Sequence, residues 1–216
     1  MLRRIVRYPE SMLRSRISTV GVKREAVLVV VLGALGSIGI GYFSWQMFAT
    51  HTEPPSYLEF TLIGESLGPL LMLLGFWIWY ALCAHFLAKL YNGSRPFIRA
   101  FRASAWALVP VGIWHLLRSI VVIALFLSVE FPEDPDGIEA EAQIQTVMEL
   151  GLDSPVYVVT LLLGLVFTVW SWHLLAVGIA EAKEVSLDDA KKVAVVPAGT
   201  VALYIVWLAL QWQGIL

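Results

Sequence analysis

A bundle of five membrane-spanning helices is the fold this sequence predicts, and three observations predict it. Hydrophobic residues make up 58% of the 216 and charged residues 15%, with a mean hydropathy of +0.75, a balance outside that of water-soluble domains. Five apolar stretches reach the roughly 20 helical residues needed to cross a hydrocarbon core of about 30 Å. Fourteen of the fifteen lysines and arginines fall on or near one side of a five-pass topology, Arg118 being the exception.

The spans fall at residues 26–49, 66–91, 103–127, 155–182 and 190–211, dividing the chain into a basic leader, 1–25, and a transmembrane domain, 26–216. Each span is read as helix, because lipid offers no water to an unpaired backbone and the alternation of a barrel strand is missing. The flanks orient the bundle. Arg3, Arg4, Arg7, Arg14, Arg16, Lys23 and Arg24 precede the first span, and Arg95 and Arg99, bracketed by Lys89 and Arg102, join the second to the third. Lys183, Lys191 and Lys192 surround the turn between the fourth and fifth. The positive-inside rule places these segments in the cytoplasm. Residues 50–65 and 128–154 contain no lysine or arginine, and the second loop carries eight acidic residues. The expected topology is N-in and C-out, multi-pass in the cell membrane.

A basic leader before an apolar run is also how secretory signals begin. This run of 24 residues is too long for a signal core, and Trp45, Gln46, Met47 and Phe48 offer no small-residue cleavage site. Within the leader, Ile5, Tyr8, Met12, Leu13 and Ile17 suit a short interfacial helix after Pro9, with arginines reaching anionic headgroups. Setting topology would by itself account for the same arginines. Cys83, the single cysteine, can form neither an intramolecular disulfide nor a cysteine metal cluster, and is read as packing.

A weak internal repeat runs through the spans. His85-Phe86-Leu87-Ala88 precedes Pro110 as His173-Leu174-Leu175-Ala176 precedes Pro197, at histidine-to-proline spacings of 25 and 24. Both hairpins would run out-in-out, so a duplication would be parallel; chance likeness between leucine- and alanine-rich helices competes with it. Each proline removes one backbone hydrogen bond, so matching kinks are expected at Pro110 and Pro197, with Gly112 and Gly199 admitting close backbone contact. The kinks would serve either as a paired hinge or as static bends. Gly33, Ser37 and Gly41 on the first span, and Ala194, Ala198 and Ala202 on the fifth, form small-residue seams for close packing.

Ionisable residues inside the membrane are few. His115 and Arg118 share a face of the third span at three-residue spacing, and Glu65 stands near the outer start of the second at similar depth. The three read as an ion or anion site, as a structural Glu65 to Arg118 pair, or as Arg118 snorkelling to the interface. His85 and His173 occupy the inner halves of the second and fourth spans and could face each other, but two histidines without carboxylates do not make a metal site. No catalytic residue is identified. Ser171 and His173 are two apart on a helix and point to different faces, and neither a zinc-protease motif nor a phosphate loop is present. No cofactor and no metal are implied, and the leader is too short and too poor in aromatic platforms for nucleic acid. In the acidic loop 128–154, Ile138, Ile144, Val147 and Met148 suit a short amphipathic helix on the outer surface, or the segment is a solvated charged loop.

The order of features resembles the Yip domain family of five-pass membrane proteins in its short prokaryotic form. The resemblance is carried by the basic leader with Pro9, the Tyr91-Asn92-Gly93 turn followed by Phe97, and Pro110 in the third span. Trp170-Ser171 and Gly178 in the fourth span, then Ser186, Ala190 and Pro197, complete it. It implies a polytopic membrane protein without known catalysis, whose eukaryotic relatives bind Rab-type GTPases and take part in vesicle traffic and membrane shaping. Those relatives recruit GTPases through a longer N-terminal region with an acidic and aromatic motif; here a short basic leader precedes the first span, with Met12 and Leu13 where family members often carry phenylalanines.

Two functions follow. One is a non-enzymatic, membrane-organising scaffold in contact with the lipid bilayer and with a membrane-protein partner or a second copy. The other is a small transporter or permease component, with an intramembrane polar site drawn from Glu65, His85, His115, Arg118 and His173.

Overall fold

The computed structural model describes residues 22–49, 56–127 and 154–212, together with Leu13 and Ile17. These residues are helical throughout apart from the turns, with no strand among them. In chain order the helices are α1 (Lys23–Ala49), α2 (Ser56–Ala88), α3 (Phe97–Ala107), α4 (Val109–Phe126), α5 (Pro155–Lys183) and α6 (Leu187–Trp212), with a single 3-10 turn at Lys89–Tyr91. Five segments are long and apolar enough to cross a membrane: Lys23–Gln46, Ser66–Tyr91, Phe97–Leu125, Pro155–Lys183 and Leu187–Leu210. The expected amphipathic helix in loop 128–154, and the leader apart from Leu13 and Ile17, lie outside the described residues.

The helix ends follow local chemistry. Ser154 caps α5 through its hydroxyl, which accepts from Val156 N–H at 3.3 Å, and Pro155 occupies the first turn where no N–H is needed. The 3-10 turn stops at Asn92 and α5 at Glu184, both left-handed with φ of 62° and 58°. Asparagine tolerates that conformation better than most residues, which makes Tyr91-Asn92-Gly93 a stop signal.

The third span is two helices. Pro110 has no N–H to return to the carbonyl of Trp106, and the regular helix is interrupted at Leu108, whose N–H still reaches Ser104 O at 3.1 Å. The new helix starts at Val109 with Pro110 in its first turn, where a proline is tolerated. Pro197 lies inside α6 and Pro69 inside α2, and both helices continue through them. The two prolines matched by spacing are therefore treated differently.

Helix α1 packs on α2 and α4; α5 packs on α6, α3 and α4; and α2 also touches α3 and α6. The broken third span lies innermost, and Ala103 to Ala107 of α3 are all buried. Small residues set how closely the helices approach. A β-carbon on Gly33 would stand 2.7 Å from Leu70 Cδ1 of α2, and one on Gly36 would stand 2.8 Å from His115 Cβ of α4. At Gly33 the expected α1 seam thus meets α2, while the α4 contact falls on Gly36, outside that seam. Gly112 similarly admits Leu32, whereas Gly199 has open space beside it, contrary to the expected contact. Ala194 and Ala198 are buried. Away from these contacts the surface is apolar: Val27, Val166 and Leu203 are 61%, 64% and 71% exposed. Outward aliphatic side chains in quantity suit a hydrocarbon solvent.

Candidate functional site

Three polar clusters punctuate the bundle, two of them at the end that carries the 89–96 and 184–186 turns. The most enclosed is built on the first turn of α1. Glu25 is 2% exposed, and its carboxylate accepts from Arg102 Nη2 of α3 at 3.4 Å and from Trp106 Nε1 at 3.4 Å. Arg102 Nη1 donates to the backbone carbonyl of Ile17 at 3.0 Å. Leu13 and Ile17 are helical, four residues apart and buried in the main core. At these two positions the leader docks on the bundle. Arg102, grouped by sequence with the topology-setting flank, instead bridges leader, α1 and α3.

The second cluster clasps the two turns together. Lys183, at the end of α5, is 1% exposed and meets Nδ1 of His85 at 2.5 Å. It also donates to the carbonyl of Arg95, whose guanidinium pairs with Glu184. That pairing holds the Glu184 carboxyl below its usual range and raises Arg95. Phe97 stands edge-on to the His85 ring at 5.5 Å. Gly93 fits beneath, since a β-carbon there would lie 3.2 Å from Lys183 Cβ and 2.9 Å from the Ala88 carbonyl. His85 and His173 do not face each other. His173 is exposed on α5, whose inward row is Gly164, Thr168, Ser171, Leu175, Gly178 and Ala182, and it falls off that row.

The third cluster lies between α4, α5 and α6. Arg118 Nη2 donates to Tyr157 Oη at 2.8 Å and Nε to the same oxygen at 3.2 Å, with Tyr204 of α6 also in reach. One helical turn earlier, Trp114 Nε1 donates to the carbonyl of Thr160 at 2.9 Å, its indole filling the space that Gly164 leaves. His115 is 2% exposed, and its Nε2 has no hydrogen-bond partner among the described residues. Glu65 lies on the first half of α2, but its side chain is outside the described residues, so the Glu65 to Arg118 pair is not described; among the described residues, phenols are the partners of Arg118.

Chemically, these arrangements fix charges rather than expose nucleophiles. Among the described residues, no three His, Cys, Asp or Glu side chains are grouped as a metal site needs, and Cys83 is buried. Tyr80 Oη and Ser171 Oγ lie 3.4 Å apart in the core. Sequence reasoning missed Glu25, Lys183 and Tyr157 as functional positions. A lone acid at the start of an apolar span was a readable signal for Glu25; the other two pairings join helices distant in sequence and left no local trace.

A model of the Yip1 domain family matches residues 4–210. No curated protein and no solved structure matches the chain.

Proposed function

The chain belongs to the Yip1 domain family, and from that premise we propose that it is a non-enzymatic membrane scaffold, an organiser of the bilayer or of proteins embedded in it. The family is not known for catalysis, and the helices make this a multi-pass membrane protein. The observation that carries the scaffold reading is the internal pairing of three cations, Arg118, Arg102 and Lys183. Arg118 is held by Tyr157, Arg102 by Glu25 and Lys183 by His85. A bundle that spends its polar side chains on holding its own helices leaves an apolar exterior for lipid and for membrane-embedded partners. The partner is a second membrane protein or a second copy, the membrane is the cell membrane, and the leader and both turns lie in the cytoplasm, as the lysine and arginine map requires. GTPase recruitment belongs to the eukaryotic relatives and is not carried over.

Cross-linking in native membranes followed by pull-down tests this. A reproducible partner or dimer, with no solute flux in proteoliposomes, is the expected result; flux that His115→Ala abolishes would replace the scaffold with a transporter. The transporter reading has one specific observation in its favour, the buried His115 Nε2 without a partner one turn from Arg118.

A further inference from the structure

Charge is unevenly balanced between the two turns. The start of α6 pairs its own lysines, Lys191 with Asp188 at 3.1 Å and Lys192 with Asp189 at 3.0 Å. The neighbouring rim, formed by the end of α2 and the start of α3, gathers Arg95 and Arg99 around one carboxylate, Glu184, which Arg95 already occupies. Lys183 lies behind them on two neutral acceptors, and Lys89 is close enough for its charge to act on both His85 and Lys183. Among the described residues, Lys89 and Arg99 have no carboxylate within ion-pair distance. Positive charge is left over at this rim, and Lys192 borders it, its Nζ 5.5 Å from the centre of the Tyr91 ring.

The same rim borders hydrocarbon. Lys89 Nζ stands 5.2 Å from the centre of the Phe86 ring. Phe86 and Leu90 are 58% and 75% exposed, and Phe97 and Ile98 are exposed beside them. Cations next to outward apolar side chains sit where acyl chains give way to headgroups. We propose that this rim binds the phosphate of an anionic lipid headgroup, with Lys89 as its direct ligand and Phe86 and Leu90 against the acyl chain. Arg95, Arg99 and Lys183 raise the local potential, Arg95 and Lys183 while holding the turn. The site stands independently of the scaffold role.

The test uses the full chain in detergent, titrated with phosphatidylglycerol or phosphatidylcholine and read by native mass spectrometry of lipid adducts. Wild type is compared with Lys89→Gln/Arg99→Gln and with Lys191→Gln. Phosphatidylglycerol should be retained over phosphatidylcholine, and its affinity should fall about fivefold for each cation removed from the first pair. Lys191→Gln should stay within about twofold of wild type, because Lys191 is paired with Asp188. Equal binding of the two lipids overturns the proposal, as does an equal loss in both variants, which would mean diffuse attraction. Displacement by millimolar inorganic phosphate would assign the rim to a soluble anion instead. If the double variant melts early, Lys89→Gln alone, at an exposed position, decides the question on the same readout.

Discussion

Replacing Arg102 by leucine would leave the Glu25 carboxylate buried without its counter-charge. The two side chains are 5% and 3% exposed and their charged atoms lie 3.4 Å apart. At an effective dielectric of about 20, the attraction at that separation is about 5 kcal/mol. Breaking a buried pair from one side typically costs about 3–5 kcal/mol, because the remaining ion loses its partner but keeps its desolvation penalty. Arg102→Leu should therefore lower the melting temperature of the purified protein by about 10 °C, taking roughly 2–4 °C per kcal/mol for a chain of this size. The variant also loses the anchor on the Ile17 carbonyl, so a protease site placed in the leader should be cut faster. Glu25→Leu/Arg102→Leu removes both charges and should recover much of the melting temperature, giving a coupling of several kcal/mol in a double-mutant cycle. Additive losses in the double variant would refute the reasoning, since they would mean the two charges do not stabilise each other.

Gly164→Ala places a β-carbon 2.6 Å from the Trp114 indole; overpacking of this kind costs about 1–3 kcal/mol, and the melting temperature should fall together with a shift in tryptophan emission. A proton added to His85 Nδ1 would stand 2.5 Å from the Lys183 ammonium, and two cations cannot share that contact. Stability contributed by the clasp should therefore be lost in acid; His85→Gln should flatten that part of the stability profile, while an unchanged profile would show that His85 does not respond to acid in this state. The Arg95 to Glu184 pair should persist further into acid, because the guanidinium holds that carboxyl below its usual range, and Glu184→Gln should narrow the difference. In a Cys83→Ala background, cysteines at Gly93 and Leu187 should react only with reagents on the cytoplasmic side, and cysteines within residues 129–153 only on the outside; the reverse pattern would invert the topology.

The spans were legible because length and apolarity are properties of contiguous sequence, and lipid imposes helix on them whatever the packing. The interruption of the third span was half legible. A missing N–H at Pro110 is local chemistry, but the same argument applied to Pro197, where α6 runs on. What decides between a stop and a continuous helix lies in neighbours that the sequence does not place. His173 was misjudged for a different reason. The small residues of α5, Gly164, Thr168, Ser171, Gly178 and Ala182, mark its inward face at steps of three, four and seven residues, and two positions past Ser171 points nearly opposite. That signal was present and unused. The clasp between His85 and Lys183 was not legible, since it depends on the rotation of two helices about their own axes. Arg102 shows how a correct rule can mislead: positive flanks orient a chain, and counting this arginine among them hid its buried role.

The break at Leu108 gives the third span a property the other four lack. A continuous rod that meets a thinner or thicker bilayer must tilt as one body. Two short rods meeting at a joint do not share one axis, and each is held by its own set of neighbours, α3 by α5 and α2, and α4 by α1 and α5.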